Sequence, residues 1–213
     1  MRLRNARSGR CDMALTTPVL ADGLRRIAAH METVADELNA LDGQLGDGDL
    51  GVTMTRGGRA LLDTVPTLPA DVGMALMACA QAMTKVSGSS YGTLLATGLL
   101  TAAKATRGRT EVPWSETAAL LRAALDAMKT RGKSALGDKT VLDAIDAAAS
   151  AAEGETEPTQ ILNASAAAVD ATLERMRGMQ AKIGRARIFG ERSIGLDDPG
   201  MRAFRDVLRG LGA

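Results

Sequence analysis

The sequence predicts an all-α fold in which eight helices pack as antiparallel neighbours. Three observations predict it. Ala, Leu, Met, Arg and Glu abound while runs of Val, Ile and aromatics are missing, a composition that favours helix over strand. Apolar residues recur at three- and four-residue spacing, and no segment alternates polar and apolar residues long enough for a strand. The connections are short, which makes consecutive helices of about four turns antiparallel neighbours.

The helical segments fall near residues 17–41, 51–64, 69–86, 90–107, 115–130, 139–153, 158–181 and 199–212. In the first, Leu20, Leu24, Ile27, Met31, Val34, Leu38 and Leu41 form one apolar face. Pro66 and Pro69 separate the second from the third. Pro113 precedes the fifth, with Ser115 as its N-cap and Glu116 in its first turn; Asp138 is placed to cap the sixth. Pro158 or Thr159 opens the seventh. Asp198 and Pro199 read as N-cap and first residue of the last, whose stripe is Met201, Phe204, Val207, Leu208 and Leu211. Residues 1–16 read as a flexible, basic N-terminal tail ahead of one helical domain, 17–213. No apolar signal core follows that tail, and Met13 is an alternative start to Met1.

At 213 residues, with 46% hydrophobic and 24% charged, the chain has room for one globular domain. Aromatics make up 2%, too few for base-stacking platforms, and a net charge of +1 draws the chain to neither nucleic acid nor anionic membrane. Two cysteines, Cys11 in the tail and Cys79 in an apolar stretch, build no disulfide framework and suggest a reducing cytoplasm. One histidine, His30, excludes a His-cluster metal site. The longest uncharged stretch, Val86 to Ala103, is broken by Ser, Gly and Thr and is too polar to span a membrane.

Two connections break the pattern, 42–51 (DGQLGDGDLG) and 182–200 (KIGRARIFGERSIGLDDPG), long and rich in Gly and charge. The first puts Asp42, Asp47 and Asp49 within eight residues. Three crowded carboxylates repel unless cations neutralise them, and hard oxygen ligands suit Mg²⁺ or Ca²⁺. The spacing does not fit an EF-hand, and a solvated Asp/Gly turn is the plain alternative. Ser87 to Thr93 (SGSSYGT) is either an anion cradle at a helix start or a small-residue packing site with an N-cap. Arg131 to Thr140 (RGKSALGDKT) nearly spells a P-loop, but Asp138 intervenes and no strand precedes it. Lys139 there either reaches a phosphate or lies on a solvated face. Arg185, Arg187 and Arg192 stand among glycines, as a phosphate clamp or a salt-bridged surface loop.

Together LNALDGQLGDGDLGVTMTRG, VSGSSYGTLLATGLL, GDKTVLDAI and GRARIFGERSIGLDDPG resemble, in order, the signature blocks of the nucleotide-binding subunit (L subunit, or C-terminal ATP-binding domain) of dihydroxyacetone kinases. The resemblance covers Leu38 to Gly200. It implies an antiparallel eight-helix barrel with the nucleotide site at one end. It implies two Mg²⁺ ions on Asp42, Asp47 and Asp49, and nucleotide contacts at Leu50, Gly51, Val52, Thr53, Ser89, Ser90, Gly132, Val141, Arg185, Asp198, Pro199 and Gly200. Val141 would pack near the base. Arg185, aided by Lys139, would stabilise the transferred phosphoryl group.

Three positions depart from that pattern: Leu50 and Leu196, where the family usually has His or Thr and His, and Tyr91 after Ser90. The implied function is an ATP-binding phosphotransfer subunit of a dihydroxyacetone or erythrulose-type ketose kinase, acting on a ketose held by a separate subunit. The chain has no histidine near any signature block to hold a ketose itself. The alternatives are an ADP-holding subunit recharged by a phosphoenolpyruvate-dependent phosphotransferase chain, and a non-catalytic nucleotide-dependent regulator of a transcription factor. The homodimer stays open. The missing donors at 50 and 196 argue for an exchangeable nucleotide, ATP, over a permanently held ADP.

Overall fold

A computed structural model describes residues 14–212. Cys11, Met13 and nearly all of the expected tail lie outside the described residues. The last three tail residues do not: Ala14–Thr16 form strand β1, which pairs antiparallel with β2, Glu111–Pro113. Leu15 stands opposite the buried Val112. Three residues are too few to show a two-residue period, so this small sheet escaped the sequence reading.

Eight α-helices follow the expected order: α1 Thr17–Leu45, α2 Leu50–Thr64, α3 Val72–Val86, α4 Ser90–Ala105, α5 Thr117–Gly132, α6 Val141–Ala151, α7 Pro158–Arg177 and α8 Pro199–Gly212. Each packs on the next, and α8 returns to α1, closing an antiparallel barrel. The interior is aliphatic. Met31 and Leu38 of α1 meet Leu50 and Met54 of α2 and Ala203 of α8. Across the barrel Leu125, Leu142, Ile145, Leu173, Met201 and Phe204 form a second cluster. Tyr91 of α4 touches both. Burying each such side chain contributes about 1.5–3 kcal/mol.

Several boundaries moved for local reasons. α1 runs four residues past its expected end because Leu45 continues the apolar stripe and is buried against Ala181 and Ala186. That contact outweighs the helix penalty of Gly43 and carries Asp42 into the last turn of α1. α3 starts at Val72, after Asp71. The Asp71 carboxylate accepts the Met74 N–H at 2.9 Å and the Gly108 N–H at 2.7 Å, and the Met74 bond foremost lowers its pKa. Ser115 caps nothing: it lies in a 3-10 turn, Trp114–Glu116, and α5 begins at Thr117. Glu116 is instead held by the two terminal guanidinium nitrogens of Arg109. Thr140, not Asp138, caps α6, in a capping box with Asp143; Asp138 accepts the Ala135 N–H and the Ser134 hydroxyl. α7 stops at Arg177, and the expected loop beyond it contains a kinked 3-10 stretch, Arg185–Ser193. Pro158 opens α7 and Asp198 caps α8, accepting the Met201 N–H at 2.8 Å. Among the described residues no helix is long and apolar enough to cross a membrane.

Candidate nucleotide and metal site

The even-numbered helices α2, α4, α6 and α8 all begin at one end of the barrel, around a cavity of about 490 Å³. A helix start carries unpaired N–H groups and roughly half a positive charge. Four of them converging on one cavity make an anion site that no single loop in the sequence discloses. The volume lies within the range of small-molecule sites.

The first turn of each helix reaches the cavity through a predicted residue. Leu50 and Thr53 of α2, Ser89 and Ser90 of α4, Val141 of α6, and Asp198, Pro199 and Gly200 of α8 all line it, as does Gly132 at the end of α5. Ser89 caps α4, its hydroxyl accepting the Gly92 N–H at 3.1 Å. Gly92 has to be glycine, because a Cβ there would overlap the Ser87 hydroxyl. The Tyr91 ring packs 3.2 Å from where a Cβ at Gly200 would sit, so tyrosine at 91 is matched by glycine at 200.

Gly51 and Val52 do not line the cavity. Their N–H groups donate to the Asn39 side-chain oxygen at 2.8 and 3.3 Å, and a Cβ at Gly51 would overlap the Ala35 carbonyl oxygen. Asn39 was not singled out in the sequence. It stands one turn before Asp42 on α1, and only the docking of α2 onto α1 reveals its role. Leu50 borders the cavity but sends its side chain into the core, where it is 6% exposed. Leu196 packs on the cluster of Leu45, Ala181 and Ala186. Both leucines are thus accounted for by packing, and the inference from them to an exchangeable nucleotide loses its footing.

At the cavity mouth Asp42, Asp47 and Asp49 bring one carboxylate oxygen each to within 4.8 Å of one another. Asp42 is half-buried and also accepts the Asp49 N–H at 3.0 Å, which folds the loop back on itself. Asp47 and Asp49 are exposed. Arg185 reaches over from the 182–200 segment and pairs with Asp47. A cation already drawn to this cluster, and three hard oxygen donors on a glycine-rich turn, fit a Mg²⁺ site open to phosphate oxygens.

Lys139 corrects a sequence expectation. It neither reaches the cavity nor lies on a solvated face. Its side chain is 1% exposed, and its ammonium donates to the carbonyls of Arg177, Met179 and Ser193 at 3.3, 2.7 and 2.7 Å. Burial lowers its pKa, while Asp198 and Asp197 pull it back up. Asp198 forms part of the cavity wall. Burial pushes its carboxyl up to about 7, against the pull of the Met201 N–H. The Cys79 thiol is buried and pushed up to about 11, which leaves it a packing residue.

The DAK2 domain model matches residues 44–213. The ADP-binding subunit DhaL of the PEP-dependent dihydroxyacetone kinase of Escherichia coli (strain K12) is 30% identical over 204 residues, 93% of this chain and 97% of that subunit. The triokinase/FMN cyclase of Homo sapiens is 31% identical over 195 residues; they make up 88% of this chain but 33% of that protein. The crystal structure of the dihydroxyacetone kinase from C. freundii in complex with AMP-PNP and Mg²⁺ shares the fold, with a TM-score of 0.72 at 23% identity, over 99% of this chain and 36% of that one. The family model begins at Gln44, near the end of α1, and so covers every cavity-lining residue except Asp42. The chain belongs to the DAK2 domain family, that of the nucleotide-binding subunits and domains of dihydroxyacetone kinases.

Proposed function

We propose that this chain is the nucleotide-binding phosphotransfer subunit of a two-component, cytoplasmic ketose kinase of the dihydroxyacetone type. The observation that carries the reading is the meeting of opposite preferences at one cavity. Four helix starts favour phosphate, and Asp42, Asp47 and Asp49 favour the cations that accompany it. Mg²⁺, as two ions in the arrangement implied by the resemblance, would neutralise phosphate charge during transfer. Ser89, Ser90 and the first turn of α8 would hold the phosphates through backbone and hydroxyl groups, and Val141 would pack near the base. Arg185 would leave Asp47 for the phosphoryl group. Lys139 takes no part in the chemistry.

The ketose and the base that activates its hydroxyl belong to a separate subunit. His30 cannot replace them: it lies in mid-α1, with its Nε2 3.8 Å from the buried Asp206 and away from the cavity. For the phosphoryl donor, the E. coli relative favours held ADP, since an ADP-binding subunit of a PEP-dependent kinase is matched over 97% of its length. One observation favours exchange with ATP: Asn39 occupies the Gly51 and Val52 N–H groups, leaving fewer donors for phosphate at α2.

Co-purification with a ketose-binding partner, followed by assay with dihydroxyacetone and erythrulose, tests the reading. Turnover by the reconstituted pair with either donor supports it. Turnover with ATP alone assigns exchange; turnover only with a phosphoenolpyruvate phosphotransferase chain assigns held ADP. No Mg²⁺-dependent nucleotide binding refutes it; nucleotide binding without ketose phosphorylation from either donor refutes it and favours the nucleotide-dependent regulator. The mass of the isolated chain in solution decides between monomer and homodimer.

A further inference from the structure

The segment that carries Arg185 leaves the barrel at the end of α7 and returns at the start of α8. Its outgoing and returning arms are joined at the base by one set of bonds. The Lys139 ammonium binds Arg177 and Met179 on the outgoing side and Ser193 on the returning side. Three acceptors use all three N–H donors of a charged lysine. Ser193, fully buried, adds two more: its hydroxyl donates to the Gly190 carbonyl at 2.6 Å and accepts the Ala181 N–H at 2.9 Å. The Gly195 N–H closes the same neck on the Arg177 carbonyl at 2.8 Å, and the Lys182 N–H binds the Asp138 carbonyl beside Lys139. Lys139 also holds a left-handed backbone, φ +62°, which a non-glycine residue keeps only where its surroundings over-determine it. Beyond the neck the loop is open: Arg187 and Ile188 are exposed, Ile188 to 81%.

We infer that Lys139 is a positioning residue. Its ammonium ties the neck of the 178–194 loop so that Arg185 is held over the carboxylates at the cavity mouth. The inference rests on the reading of that cavity as the nucleotide site for its functional half, and on the geometry alone for its structural half. A mobile arginine would lose entropy on every encounter with phosphate, and a fixed neck removes most of that cost before binding.

Lys139→Met in the full chain tests it, since methionine keeps an unbranched side chain and loses all three donors. Trypsin under native conditions should cut the loop at Arg185, Arg187 or Arg192 about tenfold to a hundredfold faster, the measure of charged hydrogen bonds lost at the neck. Calorimetry with Mg²⁺ should show a comparable loss of ADP affinity, with adenosine affinity unchanged. In an Arg185→Ala background the added loss should shrink to within about twofold, because coupled residues are not additive. Ser193→Ala loosens the same neck and keeps Lys139. It should show the same pattern at smaller amplitude, and it stands in if Lys139→Met does not fold. Unchanged cleavage in the folded variants, equal losses for ADP and adenosine, or additive losses with Arg185→Ala would each overturn the assignment. If the unmodified chain binds no nucleotide, the functional reading fails, and the cleavage rates still decide whether Lys139 ties the neck.

Discussion

Replacing Asp49 by Asn should destroy metal-dependent nucleotide binding while leaving the metal-free fold as stable as before, or more so. The carboxylate oxygens of Asp49, Asp42 and Asp47 lie within 4.8 Å of one another. Two unit charges at that separation repel by about 0.9 kcal/mol in a water-like dielectric. Asp49→Asn removes two such repulsions, about 2 kcal/mol in all before salt screens them. Arg185 already offsets part of it at Asp47. Against the gain, Asp49 is the N-cap residue of α2, where a negative charge is worth about 0.3–1 kcal/mol that Asn forgoes. The balance is a gain of about 0.5–1 kcal/mol at low salt, or a rise in melting temperature of about 1–4 °C for a chain of this size. At 1 M salt, where the screening length is about 3 Å, the gain should vanish. Affinity for Mg²⁺-ADP should fall by at least about 100-fold, since losing a partner one shell further from a metal already costs ~10–100-fold. Calorimetry with ADP across a Mg²⁺ series, with melts at two salt concentrations, reads both quantities. Unchanged Mg²⁺-dependent affinity together with a lower metal-free melting temperature would refute the reasoning.

Arg185→Ala removes a cation that competes for Asp47. It should raise affinity for Mn²⁺ alone in a metal titration, while lowering affinity for ADP by about tenfold or more and sparing adenosine. The isolated chain should bind nucleotide yet phosphorylate no ketose; turnover of dihydroxyacetone by contaminant-free protein would contradict this. Asp198 should make metal-free stability fall with rising pH. Its folded pKa, about 7, lies above the ordinary carboxylate value, so between the two the native state holds a proton that the unfolded chain has lost. The stability it contributes is complete at low pH and is lost as pH climbs through about 7. Asp198→Asn, which still accepts the Met201 N–H, should flatten that slope in melts from pH 5 to 8; an unchanged slope would mean that another group carries it.

The helices were legible because their apolar stripes repeat several times. The seven apolar positions of α1 are enough to survive one or two misreadings. Boundaries were less legible wherever a tertiary partner decided them. Leu45 extends α1 only because Ala181 and Ala186 lie against it. Glu116 is withdrawn from α5 by Arg109, and Thr140 displaces Asp138 as a cap because Asp143 completes the box. In the site, the aspartates stood out because three carboxylates in eight residues are chemically conspicuous in any fold. Lys139 misled for the opposite reason. A lysine beside glycines resembles a phosphate ligand, and nothing local shows that carbonyls from residues 177, 179 and 193 enclose it. Leu50 and Leu196 misled in the same way, since a missing donor matters only where a side chain faces the ligand.

The barrel itself explains why the charges can be so crowded. In an up-and-down ring every second helix starts at the same end, so α2, α4, α6 and α8 deliver four positive helix ends to one cavity. The odd-numbered helices finish there, and α1 brings a negative end together with Asp42 in its last turn. Phosphate and cation preferences therefore sit side by side with two of the three aspartates left in water. The cost of assembling like charges falls on the exposed loops, where Asp47 and Asp49 remain in water and Arg185 is the counter-ion within reach. Moving the three aspartates to the opposite barrel end would keep their spacing and lose the phosphate half of the site. On the proposed reading, spacing supplies the cation's ligands, and the alternation of helix direction supplies the phosphate's surroundings.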